Sequence, residues 1–247
     1  MNTNKNGYTI IYTSVIVVVV AAVLALVSQG LKSKQEANEQ ADVISQMMTA
    51  AGIDGKVKAD FEAMGNANVL KMYSENIQEA YTIDAEGTKV ALGTEDGHIE
   101  IYTPKMLKAI YRAAKNGEAH DALPVFVFKN GATVLPVYGA GLWGPIWGYI
   151  AFEGKQIKGA YFDHESETAG LGARIKDDPE FQARFVGKQV FVEGAKEPFE
   201  IAKSGFHKLA ADNGIDAIAG ATMTSNGLND AIVLWLGLYE NLFKAEE

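Results

Sequence analysis

Cysteine is absent from the 247 residues of the chain. Its absence excludes disulfides, thiolate-held iron–sulfur clusters and cysteine-based zinc sites. It fits a domain outside the cytoplasm without requiring one. Histidine is nearly as scarce. His98, His120, His164 and His207 are the four present, none is paired at a helical spacing, and no metal site is expected. Positive charge is in deficit: 22 Lys and Arg stand against 31 Asp and Glu, a net charge of -9. Nucleic acid is therefore not an expected partner, since phosphate backbones are bound by clustered basic side chains. Gly139-Ala-Gly-Leu-Trp-Gly144 has the Gly-x-Gly-x-x-Gly spacing after an apolar run, but it leads into Pro145 and a further strand-like segment rather than a helix, so no dinucleotide-binding fold is visible. Neither a Ser/His/Asp nor a Cys/His constellation is present, and there is no internal repeat or low-complexity segment.

What the chain does have begins near its N-terminus. Residues 1–7 form a short polar tail with one charge, Lys5. Tyr8 to Val27 then carries no charge, and its length matches the roughly 20 residues that span a bilayer. Tyr8 and Tyr12 stand where an interfacial aromatic belt would lie. A cleaved signal peptide would have a shorter apolar core, about 7–15 residues, behind stronger positive charge. Residues 8–28 are accordingly read as a retained transmembrane helix. Lys5 on one side and Lys32 and Lys34 on the other leave the orientation weakly marked; taken literally, the positive-inside rule leans toward a cytoplasmic domain.

About 200 residues come after the anchor, enough for one sizeable domain or two small ones. Residues 29–122 read as a juxtamembrane helix and an accessory α/β region. Ser33 to Ala51 gains apolar residues on one face (Val43, Ile44, Met47, Met48) and continues the anchor; a methionine stripe of this kind is core material. Gly52 to Gly55 breaks it, and Val57 to Ala80 carries a further helical pattern. Tyr81 to Leu92 alternates as strands around Glu86-Gly87. Thr103-Pro104 opens a helix that ends at Asn116-Gly117, with Met106, Leu107, Ile110 and Tyr111 on one face. Charges from Glu95 to Asp121 read as a solvated surface.

Residues 123–247 form the last expected domain. Val125-Phe-Val-Phe and Ala132-Thr-Val-Leu flank Lys129-Asn130-Gly131, a hairpin signal. A second hairpin turns at Glu153-Gly154. Between them lies Tyr138-Gly-Ala-Gly-Leu-Trp-Gly-Pro-Ile-Trp-Gly148, whose glycines imply close backbone approach or a bulge. Its tryptophans either pack in the core or form an exposed aromatic wall. His164-Glu-Ser-Glu-Thr-Ala-Gly-Leu-Gly-Ala-Arg-Ile175 is next, a glycine-bent loop with one exposed leucine. Glu165 and Glu167 read as surface polar groups, or as an acid/base pair sharing a strand face. Asp178-Pro179 opens a short helix, and Val190–Val192 and Phe199–Ala202 look like strands.

The chain closes on Asp216-Ala-Ile-Ala-Gly-Ala-Thr-Met-Thr-Ser-Asn226 and an apolar helix reaching Phe243, with Leu228, Ala231, Trp235, Leu238 and Leu242 facing the core. Gly220 and Ala221 let the backbone come close to a ligand. Thr224 or Ser225 is placed to cap the helix, whose free N–H groups attract anions, phosphate above all. By chemistry alone this is either a capped turn before a core helix or a phosphate site containing a nucleophilic hydroxyl.

Gly220-Ala221-Thr222, with Asp216 upstream, resembles the flavinylation motif of FMN-binding domains, in which a threonine holds FMN through a phosphoester. The acceptor position falls on Thr222, and Ala219 replaces the usual Ser or Thr. Taken with the N-terminal anchor, Tyr138 to Trp143 and Glu167-Thr-Ala-Gly-Leu-Gly-Ala173, the chain resembles the C-type subunits of the sodium-pumping NADH:quinone oxidoreductase along nearly its whole length. The family form of the loop has Pro where Ala169 stands. The G-type subunit of the Rnf electron-transport complex shares the FMN domain and is the nearest alternative. A membrane-anchored FMN-binding sensor that relays no electrons and a flavin-free structural subunit are rivals from other classes.

The resemblance implies an α+β fold: an N-terminal transmembrane helix, then a mixed or antiparallel sheet with flanking helices that binds FMN. It implies a single-pass protein of the cytoplasmic (inner) membrane with its flavin domain on the periplasmic side. A separate magnesium-dependent flavin transferase loads the FMN. The flavin relays single electrons among the other membrane subunits of a complex that runs from NADH to ubiquinone and moves sodium outward. Carried over by residue, Thr222 bears FMN, and Gly220 and Ala221 shape its turn. Thr224, Thr168, Leu171, Gly172, Leu142 and Trp143 join the cofactor surface. No catalytic residue and no activity on NADH alone are implied, since the chemistry belongs to the cofactor.

Overall fold

The computed structural model describes residues 6–84, 87–93, 101–120 and 122–244. Most of the N-terminal tail, Glu86 of the expected turn, the charges between Glu95 and Glu100, and Asp121 lie outside the described residues. The chain divides into two compact units, residues 1–40 and 41–247.

In the first unit, helix α1 (Asn6–Ala50) runs through the whole uncharged stretch. Its apolar side chains, Ile10 to Val27, are exposed, and it is long and apolar enough to cross a membrane. Tyr8 and Tyr12 stack at a centroid distance of 6.1 Å. Residues 41–50 of the same helix belong to the second unit, where Val43, Ile44, Met47 and Met48 are buried as their spacing requires.

The second unit is an α+β domain built on a six-stranded antiparallel sheet. Its strands are β1 (Ile77–Ile83), β2 (Lys89–Ala91), β3 (Leu123–Phe128), β4 (Thr133–Ala140), β5 (Pro145–Glu153) and β6 (Gln156–His164), in the order β2-β1-β3-β4-β5-β6. The central strands are buried on both faces. Val125, Leu135, Val137, Ile150 and Phe162 face one cluster, and Phe126, Phe128, Val134, Tyr149 and Ala151 face the other. Side chains alternate along a strand, so a sheet covered on both faces reads as a continuous apolar run rather than an alternating one.

Helices close both faces. The C-terminal turns of α1, together with α2 (Lys58–Met64) and α3 (Asn66–Asn76), bring Ile44, Met47, Phe61, Val69 and Tyr73 to one face. The other face receives Leu107 and Ile110 of α4 (Pro104–Asn116), Ile175 of α5 (Arg174–Asp177), Phe181 of α6 (Pro179–Ala183), and Leu228, Ile232 and Trp235 of α7 (Thr222–Leu238). A small parallel sheet of β7 (Glu200–Ala202) and β8 (Gly214–Asp216) adds Ile201 and Ile215 to this cluster, and α8 (Glu240–Lys244) adds Phe243.

Four details depart from the pattern of the sequence. The helical pattern from Val57 stops at Asn76, because Ile77–Ala80 is drawn into pairing with β3, Ile77 opposite Phe128 and Ala80 opposite Phe126. Val190–Val192 is not a strand: Phe191 has φ 53, outside the extended region, and the pairing beside it is an isolated bridge between Gln156 and Gln189. Gly214–Asp216 is a strand that the pattern did not disclose, since three residues are too few for a period. The last helix stops at Leu238 and restarts at Glu240, with Leu238 and Leu242 only half-buried.

α7 is held on the sheet by buried hydrogen bonds and by close backbone packing. Trp235 Nε1 donates to Tyr138 O at 2.7 Å, and Tyr239 Oη donates to Pro124 O at 2.7 Å. The helix lies directly on β4. A Cβ on Gly139 would meet Ala231 Cβ at 2.6 Å, and one on Gly227 would strike the Ala140 carbonyl. Backbone cannot yield there as a flexible side chain would. Gly227→Ala is therefore expected to cost about 1–3 kcal/mol in urea denaturation. Gly237→Ala, in the same helix with open space at its Cβ, is expected to be neutral or stabilising by up to about 1 kcal/mol. Equal stability of the two variants would contradict this seating.

Candidate functional site

The turn before α7 is built from small residues. Gly220 sits at φ 81, in the left-handed region that favours glycine, and the Ala221 N–H donates to Ile218 O at 3.1 Å. Ala221 is buried and serves as N-cap, and among the described residues no side chain caps the helix. This corrects the expectation that Thr224 or Ser225 would cap it. The helix has already begun at Thr222, so both hydroxyls lie inside its first turn. Ser225 Oγ instead accepts the Ile218 N–H at 3.1 Å, which closes the turn from within.

Thr222 and Thr224 are two helical positions apart, about 200° around the axis. They point to opposite environments. Thr222 is exposed, whereas Thr224 is 2% exposed. Met223, between them, is also exposed. The first N–H groups of an α-helix have no intrahelical acceptor, and together with the helix dipole they favour an anion.

Thr224 is held by a residue whose sequence context suggests the surface. Glu167 is 7% exposed. Its Oε2 accepts the Thr224 hydroxyl at 2.6 Å, and its Oε1 accepts the Trp143 backbone N–H at 2.8 Å. The residue comes after β6, in a turn where its own N–H donates to His164 Nδ1 at 3.1 Å and the Ser166 hydroxyl donates to Trp143 O at 3.0 Å. Glycines make room for the carboxylate. A Cβ on Gly141 or on Gly172 would collide with its oxygens, and one on Gly172 would also come within 2.6 Å of Thr224 Oγ1. The acid/base pairing with Glu165 does not occur on a shared strand face, because β6 ends at His164. The one available signal was position: Glu167 is the last charge before the uncharged run Thr168–Ala173.

The three segments 141–144, 164–172 and 218–225 thus meet around one carboxylate. The Thr168 carbonyl accepts from the N–H groups of Leu171 and Ala173, both at 3.1 Å, turning Leu171 outward. A Cβ on Gly220 would meet Leu171 Cδ2 at 3.2 Å, so this loop lies against the turn that presents Thr222. Leu142, Trp143 and Leu171 are exposed, Trp143 by 66%. The core alternative for Trp143 is therefore excluded, while Trp147 is half-buried and donates to Gln46 Oε1 at 3.1 Å. Of the sequence-predicted site residues, Thr168, Leu171, Gly172, Gly220, Ala221, Thr222, Thr224, Leu142 and Trp143 all fall on these three segments.

Asp216, at the head of the motif, ends β8. His207 Nε2 lies 2.8 Å from its Oδ1, and this hydrogen bond holds the carboxyl below its ordinary range. A cavity of about 1000 Å³, lined by Tyr111, Phe199, Asn229 and Leu234 among others, contains none of the predicted site residues. The predicted site is an open surface: an uncapped helix start carrying an exposed hydroxyl, beside exposed apolar side chains. Such a surface can hold a phosphorylated ligand with a flat apolar body. Isolated exposed apolar residues are ordinary, but a group of them around an anion site is what a bound ring would cover.

Comparison with known proteins finds relatives over most of the chain. Residues 141–237 match the family model of the FMN-binding domain. The C-type subunit of the Na(+)-translocating NADH-quinone reductase of Vibrio vulnificus is 29% identical over 235 residues, covering 89% of this chain and 86% of that protein. The crystal structure of the corresponding C-type subunit from Parabacteroides distasonis superposes with a TM-score of 0.67 at 31% identity, covering 86% of this chain and 96% of that one. The structure of NqrC from Shewanella oneidensis gives 0.62 at 25% identity, covering 85% and 99%.

Proposed function

The chain belongs to the NqrC family, the C-type subunits of the Na(+)-translocating NADH-quinone reductase, and we propose that it is a membrane-anchored electron carrier bearing FMN on Thr222. The observation that carries this reading is the contrast between the two threonines: Thr222 is exposed at an uncapped helix start, and Thr224 is tied down inside. The residues present fit the group. Gly220 brings backbone close, α7 offers its N-terminal N–H groups, and Leu142, Trp143, Leu171 and Met223 offer apolar surface for a ring system.

When bound, FMN supplies reversible one- and two-electron chemistry. Joining it to threonine requires a phosphorus already activated as a phosphoanhydride. Thr222 would supply the oxygen that displaces a nucleoside monophosphate from that phosphorus as the anhydride P–O bond breaks, its hydroxyl proton passing to solvent. The ester keeps one negative charge, which the start of α7 stabilises by roughly 0.3–1 kcal/mol. Thr168, exposed on its loop, adds a hydroxyl beside the ring surface. A separate flavin transferase carries out the loading, and the covalent tether keeps a carrier outside the cytoplasm from losing its cofactor by dilution.

The remaining parts of the role lie with partners. The glycines of Gly139-Ala-Gly-Leu-Trp-Gly144 join β4 to β5 rather than opening a helix, which is not the setting of a dinucleotide fingerprint, so electrons from NADH reach this chain through other membrane subunits of a sodium-pumping complex and leave it toward quinone. Residues 8–28 hold the protein in the cytoplasmic membrane, with the unit of residues 41–247, which carries Thr222, on the outer side.

Three outcomes are expected. Thr222→Ala, produced with the transferase, loses the FMN mass increment while its thermal unfolding stays cooperative; an increment that persists in intact-mass measurement removes the assignment. The isolated, FMN-loaded chain mixed with NADH keeps its visible absorbance, and rapid bleaching would mean that it accepts hydride unaided. Protease added to spheroplasts digests the large domain, and protection of that domain would reverse the topology.

A further inference from the structure

Thr222 and Thr224 carry the same hydroxyl on the same turn of helix, two positions apart. What separates them is Glu167. We propose that Glu167 is the positioning residue for flavin loading: by binding Thr224 it fixes the rotation of the first turn of α7, so that Thr222 alone is presented, and by binding the Trp143 backbone N–H it ties the backbone that carries the exposed indole to the same frame. The proposal rests on the reading of Thr222 as the FMN carrier.

Four observations support it. The Thr224–Glu167 hydrogen bond is short, at 2.6 Å, and joins a hydroxyl to a carboxylate, the stronger class of hydrogen bond. Both partners are buried, Thr224 at 2% and Glu167 at 7% exposure, so water does not replace the bond readily. Among the described residues no side chain caps α7, so no cap fixes the helix start in its place. The second carboxylate oxygen is used on the Trp143 N–H at 2.8 Å, in a segment more than twenty residues away in the chain. Glu167 spends both oxygens on these two donors rather than on the Thr222 hydroxyl and is not a catalytic residue.

The geometry distinguishes substitutions. Glutamine has the same length. Its oxygen accepts the Trp143 N–H, and its NH₂ donates to the Thr224 oxygen, which a hydroxyl accepts by rotating. Alanine loses both bonds. Valine at 224 loses one and leaves a buried carboxylate oxygen without its partner.

The test is the initial rate of FMN incorporation into the full chain, followed by intact mass, with purified magnesium-dependent flavin transferase and flavin adenine dinucleotide. Glu167→Ala and Thr224→Val are expected to load about tenfold or more slowly, because misplacing a reacting group by an ångström has effects of that size or larger. Glu167→Gln is expected to load close to the wild-type rate. Tyr239→Phe, which loses its hydrogen bond to Pro124 O just beyond the far end of the same helix, is the control for general destabilisation and is expected to load normally. Wild-type loading in Glu167→Ala overturns the proposal, as does equal slowing in Glu167→Gln or in Tyr239→Phe. If Glu167→Ala does not fold, Thr224→Val decides: slow loading supports the role and wild-type loading overturns it. A wild-type chain that takes up no FMN contradicts the assignment of Thr222 instead.

Discussion

A carboxylate removed from water must be met by hydrogen-bond donors, or it costs several kcal/mol and distorts what surrounds it. Glu167 meets that requirement with donors from two distant segments, the Trp143 N–H and the Thr224 hydroxyl. A Cβ on either glycine that touches it, Gly141 or Gly172, would push the carboxylate off these donors. The consequence is architectural. Segments that lie apart in sequence cannot move independently while the carboxylate is satisfied. The exposed leucine, tryptophan and threonine of the site are therefore carried on one rigid support rather than on three separate loops, and pre-placed groups are what precise cofactor attachment needs.

That support is itself seated by α7. The helix touches β4 through bare backbone at Gly139, Ala140 and Gly227 and is held by the Trp235 indole on Tyr138 O. Close packing in this plane sets the distance of the helix from the sheet, and the Glu167–Thr224 bond sets its rotation at the N-terminal end. The same sheet accepts the last turns of α1 on its opposite face. Gln46, fully buried, donates to Asp163 Oδ2 and accepts from the Trp147 indole, two residues paired directly across β5 and β6. Both faces of the sheet are thus specified by a few directional polar contacts set in an apolar field, the arrangement that gives a single native packing.

The sequence was legible where a pattern repeats. Val125 to Phe128, the hairpins at Asn130-Gly131 and Glu153-Gly154, and the α4 stripe of Leu107 and Ile110 all carry periods or turn chemistry that the structure obeys. It was illegible where tertiary pairing outweighs local preference, as at Ile77–Ala80, or where an element is too short for any period, as at Gly214–Asp216. The site divides the same way. Small residues before hydroxyls at a helix start are a local signal, so the segment around Thr222 was readable. Glu167 was not, because its one local mark, a charge just before an uncharged run, does not disclose partners that lie in distant segments. The capping role expected of Thr224 failed by a few residues of helix boundary, a shift that converts an N-cap into an inward-facing group.

Thr222 stands outward near the exposed Leu142, Trp143, Leu171 and Met223, in a chain of which residues 141–237 match the FMN-binding domain. A surface of this kind that carries flavin covalently and passes electrons through it has a distinctive optical signature. The visible spectrum of the full chain, produced with its transferase, then denatured in one sample and reduced stepwise in another, tests this most directly. A yellow protein is expected, with flavin absorbance that remains on the denatured polypeptide and that bleaches and recovers reversibly. A colourless protein, or flavin that separates from the chain on denaturation, would contradict it.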